Sequence, residues 1–237
     1  GPLPTVLLPH GGPIGQWSCV PTIEALLLAS AGVRVAMPNI RGSYDRGRAW
    51  QGALFDAWGD VDAADCHAVL DHLVVDGLAD ADRLGVTGLS YGGFLVNWLV
   101  GTSDRFRAAV SENGVTNNVS AWANSDCGAP YSEAAGLGDT TTPEGVERLW
   151  RQSPLRHVAA IRTPLLILQA EADVRCPAAD AEQLFTALRW LRREVEYVLY
   201  PEESHPFQGS GRFDRRLDRH RRVLAWLLPR LGVAQDG

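Results

Sequence analysis

Apolar residues fall in short runs separated by amphipathic stretches, and this alternation repeats along the whole chain. The runs at 5–8, 33–37, 83–87, 108–111, 165–169 and 195–200 read as buried strands, several of them stopped or opened by proline or glycine. Between them the pattern predicts helices. One spans 21–31, with Ile23, Leu26, Leu27 and Ala31 on one face. A long one runs from about 56 to 76, where Val61, Cys66, Val69, Leu70, Leu73 and Val74 approximate a 3.6-residue period. Further helices are expected from 91 to about 100, over 178–192, and over 213–231 with Leu217, Leu224, Leu228 and Leu231 as the buried stripe. From about 115 to 160 the periodicity weakens, leaving one helix near 144–152 inside an excursion between core strands. Strands alternating with helices predict a parallel sheet covered on both faces, hence one α/β domain over residues 1–237.

Composition narrows the function classes. Hydrophobic residues are 46% and charged residues 21%, which excludes a disordered tail, a collagen-like fibre and a coiled coil. No apolar run approaches the ~18–20 residues of a membrane-spanning helix. The net charge of −6 argues against nucleic acid as the main ligand. All 22 basic residues are arginine. Six of them crowd residues 212–222, interleaved with apolar positions as expected of a solvated helix face or a contact with another domain. The single methionine is Met37, so Gly1 is expected to follow a processing site or, more simply, to lie partway into a longer protein, and a leader would have left no trace. Cys19, Cys66, Cys127 and Cys176 lack metal-ligand spacing and read as free thiols, with pairing open if the protein is exported. No metal or other cofactor is implied.

Candidate chemistry gathers at strand ends. Gly88-Leu89-Ser90-Tyr91-Gly92 fits G-x-S-x-G between a strand and a helix. There the glycines permit a sharp turn that lifts the serine hydroxyl above the sheet edge. A serine nucleophile needs a histidine base oriented by a carboxylate. Among six histidines, His67, His72 and His220 fall in helices, His157 in the irregular excursion and His10 in the turn after the first strand. His205 alone follows the last strand, in Pro201-Glu202-Glu203-Ser204-His205-Pro206. Asp173 leaves the preceding strand, and the order Ser90, Asp173, His205 is that of α/β-hydrolases. An oxyanion hole is expected from the N–H of Tyr91 and from Gly12 in the turn His10-Gly11-Gly12-Pro13, with His10 holding that loop. Trp122, in the excursion above the sheet, lines the pocket for the residue before the scissile bond or packs the core.

Taken together, HGGP, NIRGSYDRG, GLSYGGF, EADVRCP and the SH before the closing helix resemble the catalytic domain of the prolyl oligopeptidase family, nearest its acylaminoacyl-peptidase and dipeptidyl-peptidase-like branch. The resemblance runs from residue 5 to about 230. It implies an α/β-hydrolase fold whose first strands are missing here, and an N-terminal β-propeller in the full-length chain that limits substrates to short peptides. It also implies that Arg175, two residues beyond Asp173, contacts a substrate carbonyl; the alternative is a salt bridge to a nearby carboxylate. Arg41 is expected to be structural. Pro206 stands where the family usually has glycine, so a stiffer histidine loop is expected.

The expected function is therefore a serine peptidase. A carboxylesterase with the same machinery and a non-catalytic hydrolase-fold interaction module are the alternatives. The expected partners are short peptides and the propeller, with no nucleic acid and no membrane, and a homo-oligomer is possible. Compartment stays open, with the cytoplasm favoured.

Overall fold

Val6 and Leu7 point to opposite faces of one strand, and each founds a different core. The computed structural model describes residues 1–234 apart from the Asp45 side chain. Its strands are β1 (Leu3–Leu7), β2 (Arg34–Ala36), β3 (Ala79–Leu89), β4 (Ala108–Glu112), β5 (Leu165–Ala170) and β6 (Val195–Tyr200). They form one parallel sheet in the order β2-β1-β3-β4-β5-β6.

The helices are α1 (Ile23–Ser30), α2 (Arg48–Gly52), α3 (Val61–Val75), α4 (Tyr91–Thr102), α5 (Asn118–Asn124), α6 (Gly128–Ala135), α7 (Pro143–Arg151), α8 (Ala178–Trp190), α9 (Phe207–Ser210) and α10 (Phe213–Arg230). Side chains alternate across each strand. Leu7, Val86, Ala109, Leu165 and Ile167 therefore meet α3, α4 and α8 on one face. Val6, Ala108, Val110, Leu166 and Leu168 meet α1 and α10 on the other.

The parallel strands are where the apolar runs predict them, although β3 is longer than its run. The helices differ in instructive ways. α1 does not bury Ile23 and Leu26, which are exposed; it turns Glu24, Ala25 and Leu28 inward. The cause is Arg219 of α10, a buried guanidinium that takes the carboxylates of both Glu24 and Glu112. A buried cation demands paired anions, and this need outranks the apolar preference of a helix that is hydrophobic nearly all round. The same pairing rotates α10, so Val223, Trp226, Leu227 and Leu228 are buried while Leu217 is partly exposed.

The helix expected over about 56–76 starts only at Val61. Gly59 has φ +82°, and a Cβ there would overlap the Trp98 ring at 2.2 Å, so the chain turns before the helix can begin. The excursion holds three short helices rather than one. Asn117 caps α5 by accepting from Val119 N–H at 3.0 Å, and Thr142 caps α7 by accepting from Gly145 N–H at 3.0 Å.

The four cysteines are free, with Cys66 and Cys176 buried and Cys19 exposed. Among the described residues no helix is long and apolar enough to cross a membrane. The 212–222 segment carries exposed pairs such as Arg212–Asp214 and Arg222–Asp218 around the buried Arg219.

Candidate active site

Every candidate group leaves the carboxyl end of a strand, the edge of a parallel sheet where α/β proteins place their ligands. Ser90 follows β3 at φ 61°, ψ −119°, a conformation disfavoured for a side chain. The neighbouring glycines are steric necessities. A Cβ on Gly88 would lie 2.5 Å from the Gly92 backbone, and one on Gly92 would lie 2.5 Å from Pro9 O. The turn is pinned by Ser90 N–H donating to Glu112 O at 2.9 Å and Phe94 N–H donating to Ser90 O at 2.9 Å.

The His205 loop brings its imidazole over this turn. His205 Nε2 lies 3.0 Å from Ser90 Oγ, and Nδ1 lies 2.7 Å from Asp173 Oδ2. The Asp173 side chain is fully buried, and its other oxygen accepts from the N–H groups of Arg175 and Cys176, each at 2.8 Å. The carboxylate thus has no freedom to rotate away from the ring. Asn113, with φ 42°, ties the loops together: its amide donates to His205 O at 2.9 Å and its carbonyl accepts from Ala170 N–H at 2.8 Å. Pro206 sits after His205 at φ −89°, leading into α9.

The elements expected to supply the oxyanion hole meet at the same hydroxyl. Tyr91 begins α4 directly after Ser90, and the Gly11–Gly12 turn packs so closely that a Cβ on Gly11 would touch Ser90 Cβ at 3.5 Å. His10 is buried, with Nδ1 2.8 Å from Gly11 O and Nε2 2.8 Å from Ser43 Oγ, so it holds the loop as expected. Arg41 is structural, forking onto Asp65 and donating to Val61 O.

Gly12, Ser90 and Tyr91 open onto a cavity of about 100 Å³. Trp58, Phe94, Trp122, Tyr131 and Leu137 make its walls, and Trp58 meets Tyr91 edge-on at 4.7 Å. Trp122 lines this cavity while also packing on the core. Arg175 stands at the mouth, where Nε and Nη2 donate to Asp126 at 2.6 and 3.1 Å. That ion pair raises the Arg175 pKa and lowers that of Asp126. The expected salt bridge is therefore present, and the fork leaves Nη1 outside it.

Three residues packed around these groups carry no signal in the sequence pattern. Asp62, buried on α3, accepts from the Tyr91 hydroxyl, and burial pushes its carboxyl up to about 6. Asn113 is the second; an Asn-Gly pair after a strand marks only a turn. The third is Cys176, buried against the Ser90 hydroxyl, its thiol pKa pushed up by burial and by the Asp173 and Asp180 carboxylates. Asp173, Cys176 and His205 also bring three potential metal-ligand atoms within 4.8 Å of one another.

Compared with known proteins, residues 20–234 match the family model of the prolyl oligopeptidase family. The chain belongs to that family. It is 38% identical over 224 residues to the uncharacterized peptidase YuxL of Bacillus subtilis, an alignment covering 94% of this chain and 34% of the relative. It is 31% identical over 212 residues to acylamino-acid-releasing enzyme 2 of Oryza sativa, covering 85% of this chain and 27% of that protein. Among solved structures, the acylaminoacyl peptidase of Pyrococcus horikoshii superposes with a TM-score of 0.92 at 27% identity, over all of this chain and 38% of that one. The fold is thus the α/β-hydrolase fold of prolyl oligopeptidase family members, and the chain spans about a third of the length of such relatives.

Proposed function

We propose that this chain is the catalytic part of a serine peptidase that cleaves short peptides through an acyl-enzyme. The observation that carries the reading is the continuous line Ser90 Oγ–His205–Asp173, with contacts of 3.0 and 2.7 Å, opening onto an apolar cavity.

In this reading Ser90 attacks the scissile carbonyl while His205 Nε2 takes its proton and then delivers it to the leaving amine. Asp173 fixes the tautomer and stabilises the imidazolium. The developing oxyanion meets the N–H groups of Tyr91 and Gly12, with the N-terminal end of α4 adding favourable potential. Water then deacylates the enzyme by the same proton path. Trp122 and its aromatic neighbours take an apolar side chain on the acyl side, and Arg175 Nη1 donates to the carbonyl one residue upstream. The acylamino-acid-releasing relatives support an acylated or otherwise short peptide as substrate. The length of the relatives supports further chain beside this domain, and an N-terminal β-propeller is our reading of it.

The test is turnover by the full-length protein. A peptide anilide should be hydrolysed, a fluorophosphonate should label Ser90, and Ser90→Ala should abolish both. Efficient turnover of simple esters with no peptide cleavage would replace this reading by an esterase.

A further inference from the structure

The Cys176 thiol has no part in acyl transfer, yet it stands among the groups that perform it. Cys176 lies three residues after Asp173, in the turn that opens α8, and its N–H donates to Asp173 Oδ1 at 2.8 Å. Its side chain is 3% exposed, lines the same cavity as Ser90, and reaches the Ser90 hydroxyl. Burial and two nearby carboxylates keep the thiol protonated, so it does not compete as a nucleophile.

What the fold assembles here is a mixed donor set. A carboxylate oxygen of Asp173, the sulfur of Cys176 and a ring nitrogen of His205 lie within 4.8 Å of one another. The three come from one turn and a second loop, so no C-x-x-C or H-x-x-x-H spacing announces them. Zinc takes sulfur at ~2.3 Å and nitrogen or oxygen at ~2.0–2.2 Å, with tetrahedral donors some 3.3–3.8 Å apart. With Asp173 held in place, bringing the sulfur in by ~1 Å is within reach of rotations of the Cys176 and His205 side chains. Three protein ligands and one open position facing a cavity make a reversible site, whereas a structural zinc closes with four.

We propose that Asp173, Cys176 and His205 form an inhibitory site for a thiophilic divalent cation, with zinc the best fit, that takes His205 out of the proton path. Binding displaces the thiol proton to solvent and uses a ring nitrogen of His205. Because Nδ1 is the ring nitrogen that faces Asp173, the ion inserts there between ring and carboxylate and leaves the remaining ring proton on Nε2, which cannot accept from Ser90. Ser90 is then without a base. Magnesium and calcium, which prefer all-oxygen shells, do not suit a thiolate–imidazole pair.

The inhibition rests on the peptidase reading, but occupancy of the site does not, and two measurements on the full-length protein separate them. The first is a cobalt(II) titration followed by the thiolate-to-cobalt charge-transfer absorption. The band should appear with the native protein and with Cys19→Ser, whose exposed thiol lies elsewhere, and vanish in Cys176→Ala and Cys176→Ser. A missing band, or one that survives in both Cys176 variants, overturns the site. The second is the rate of fluorophosphonate labelling and of peptide hydrolysis in zinc, each variant being referred to its own metal-free rate. Zinc should slow both rates together, a chelator should restore them, and magnesium should do neither. Cys176→Ala should need about tenfold more zinc or beyond for the same slowing, since even outer-shell losses at metal sites cost that much. Equal zinc sensitivity in the native and Cys176 variants overturns the inhibition. A protein that never reacts with the fluorophosphonate refutes the peptidase reading instead, and the cobalt band then decides the site alone.

Discussion

The Tyr91 hydroxyl donates to the Asp62 carboxylate, 29 residues earlier in the chain and on a different helix. The residue whose amide is the proposed oxyanion donor is thereby anchored at its far end to α3, with Trp58 and Phe94 packed on its ring. Burial raises the Asp62 carboxyl from 3.8 to about 6, against the hydrogen bonds from Tyr91 and the backbone that favour ionisation.

This shift has a definite sign. Between about pH 4 and pH 6 the unfolded chain has released the Asp62 proton while the folded protein keeps it, so stability falls as pH rises through that window. Asp62→Asn retains an acceptor for Tyr91 and has no proton to lose. The free energy of urea unfolding of Asp62→Asn, relative to the native protein, should rise on the order of 3 kcal/mol from pH 4 to pH 7. A difference independent of pH would mean that Asp62 is already ionised at pH 4.

A second prediction concerns the strained turn. Ser90 holds φ 61° with a Cβ in place. Glycine removes that conflict, worth ~1–3 kcal/mol, while adding unfolded-state freedom worth ~0.5–1 kcal/mol. Ser90→Gly should therefore unfold at higher urea than Ser90→Ala, by about 1 kcal/mol. Both should lose about 10⁴-fold or more in kcat. Equal midpoints would remove strain from the account of the turn.

The buried ion cluster gives a third. Arg219 Nε donates to Glu112 at 2.6 Å, and the same guanidinium pairs with Glu24. Arg219→Met leaves two carboxylates facing each other in the core and should destabilise the fold by about 3–5 kcal/mol. Burial already raises the Glu112 carboxyl, and Arg219 is the main group opposing that rise. Without it the folded protein holds the Glu112 proton to higher pH, so the variant should recover stability as pH falls. Thermal melts of both proteins from pH 7 to pH 5 would check this, and parallel curves would contradict it.

The cluster also explains what the sequence could and could not reveal. Strands were legible because Val, Leu and Ile runs must be buried wherever they pair. Ser90, Asp173 and His205 were legible because each residue type is demanded by the chemistry and each follows a strand. The inward faces of α1 and α10 were not, since Glu24 and Arg219 are 195 residues apart and neither predicts the other. Asp62, Asn113 and Cys176 act through partners that only the fold supplies. The short helices α5 and α6 escaped because a seven- or eight-residue helix carries too few turns to show a period.

The last prediction separates peptide reading from simple ester hydrolysis at Arg175. Its fork onto Asp126 sets the guanidinium at the cavity mouth and leaves Nη1 to donate elsewhere. A peptide offers a carbonyl one residue upstream of the scissile unit, and a short acyl ester offers none. A charge-assisted hydrogen bond of this kind is worth ~1.5–3 kcal/mol, or about 10- to 150-fold in kcat/KM. Arg175→Ala should lower kcat/KM by that factor for an acyl-aminoacyl or dipeptidyl anilide and change hydrolysis of a p-nitrophenyl ester much less. Asp126→Asn keeps the cation but weakens its anchor, so it should give a smaller loss in the same direction, again confined to the peptide. If both substrates fall together in Arg175→Ala, the side chain acts by anchoring the turn that carries Asp173 through its ion pair with Asp126. If neither falls, the ion pair with Asp126 is the whole of its role. Only loss on the peptide alone, graded from Asp126→Asn to Arg175→Ala, fits a guanidinium that reads the substrate backbone.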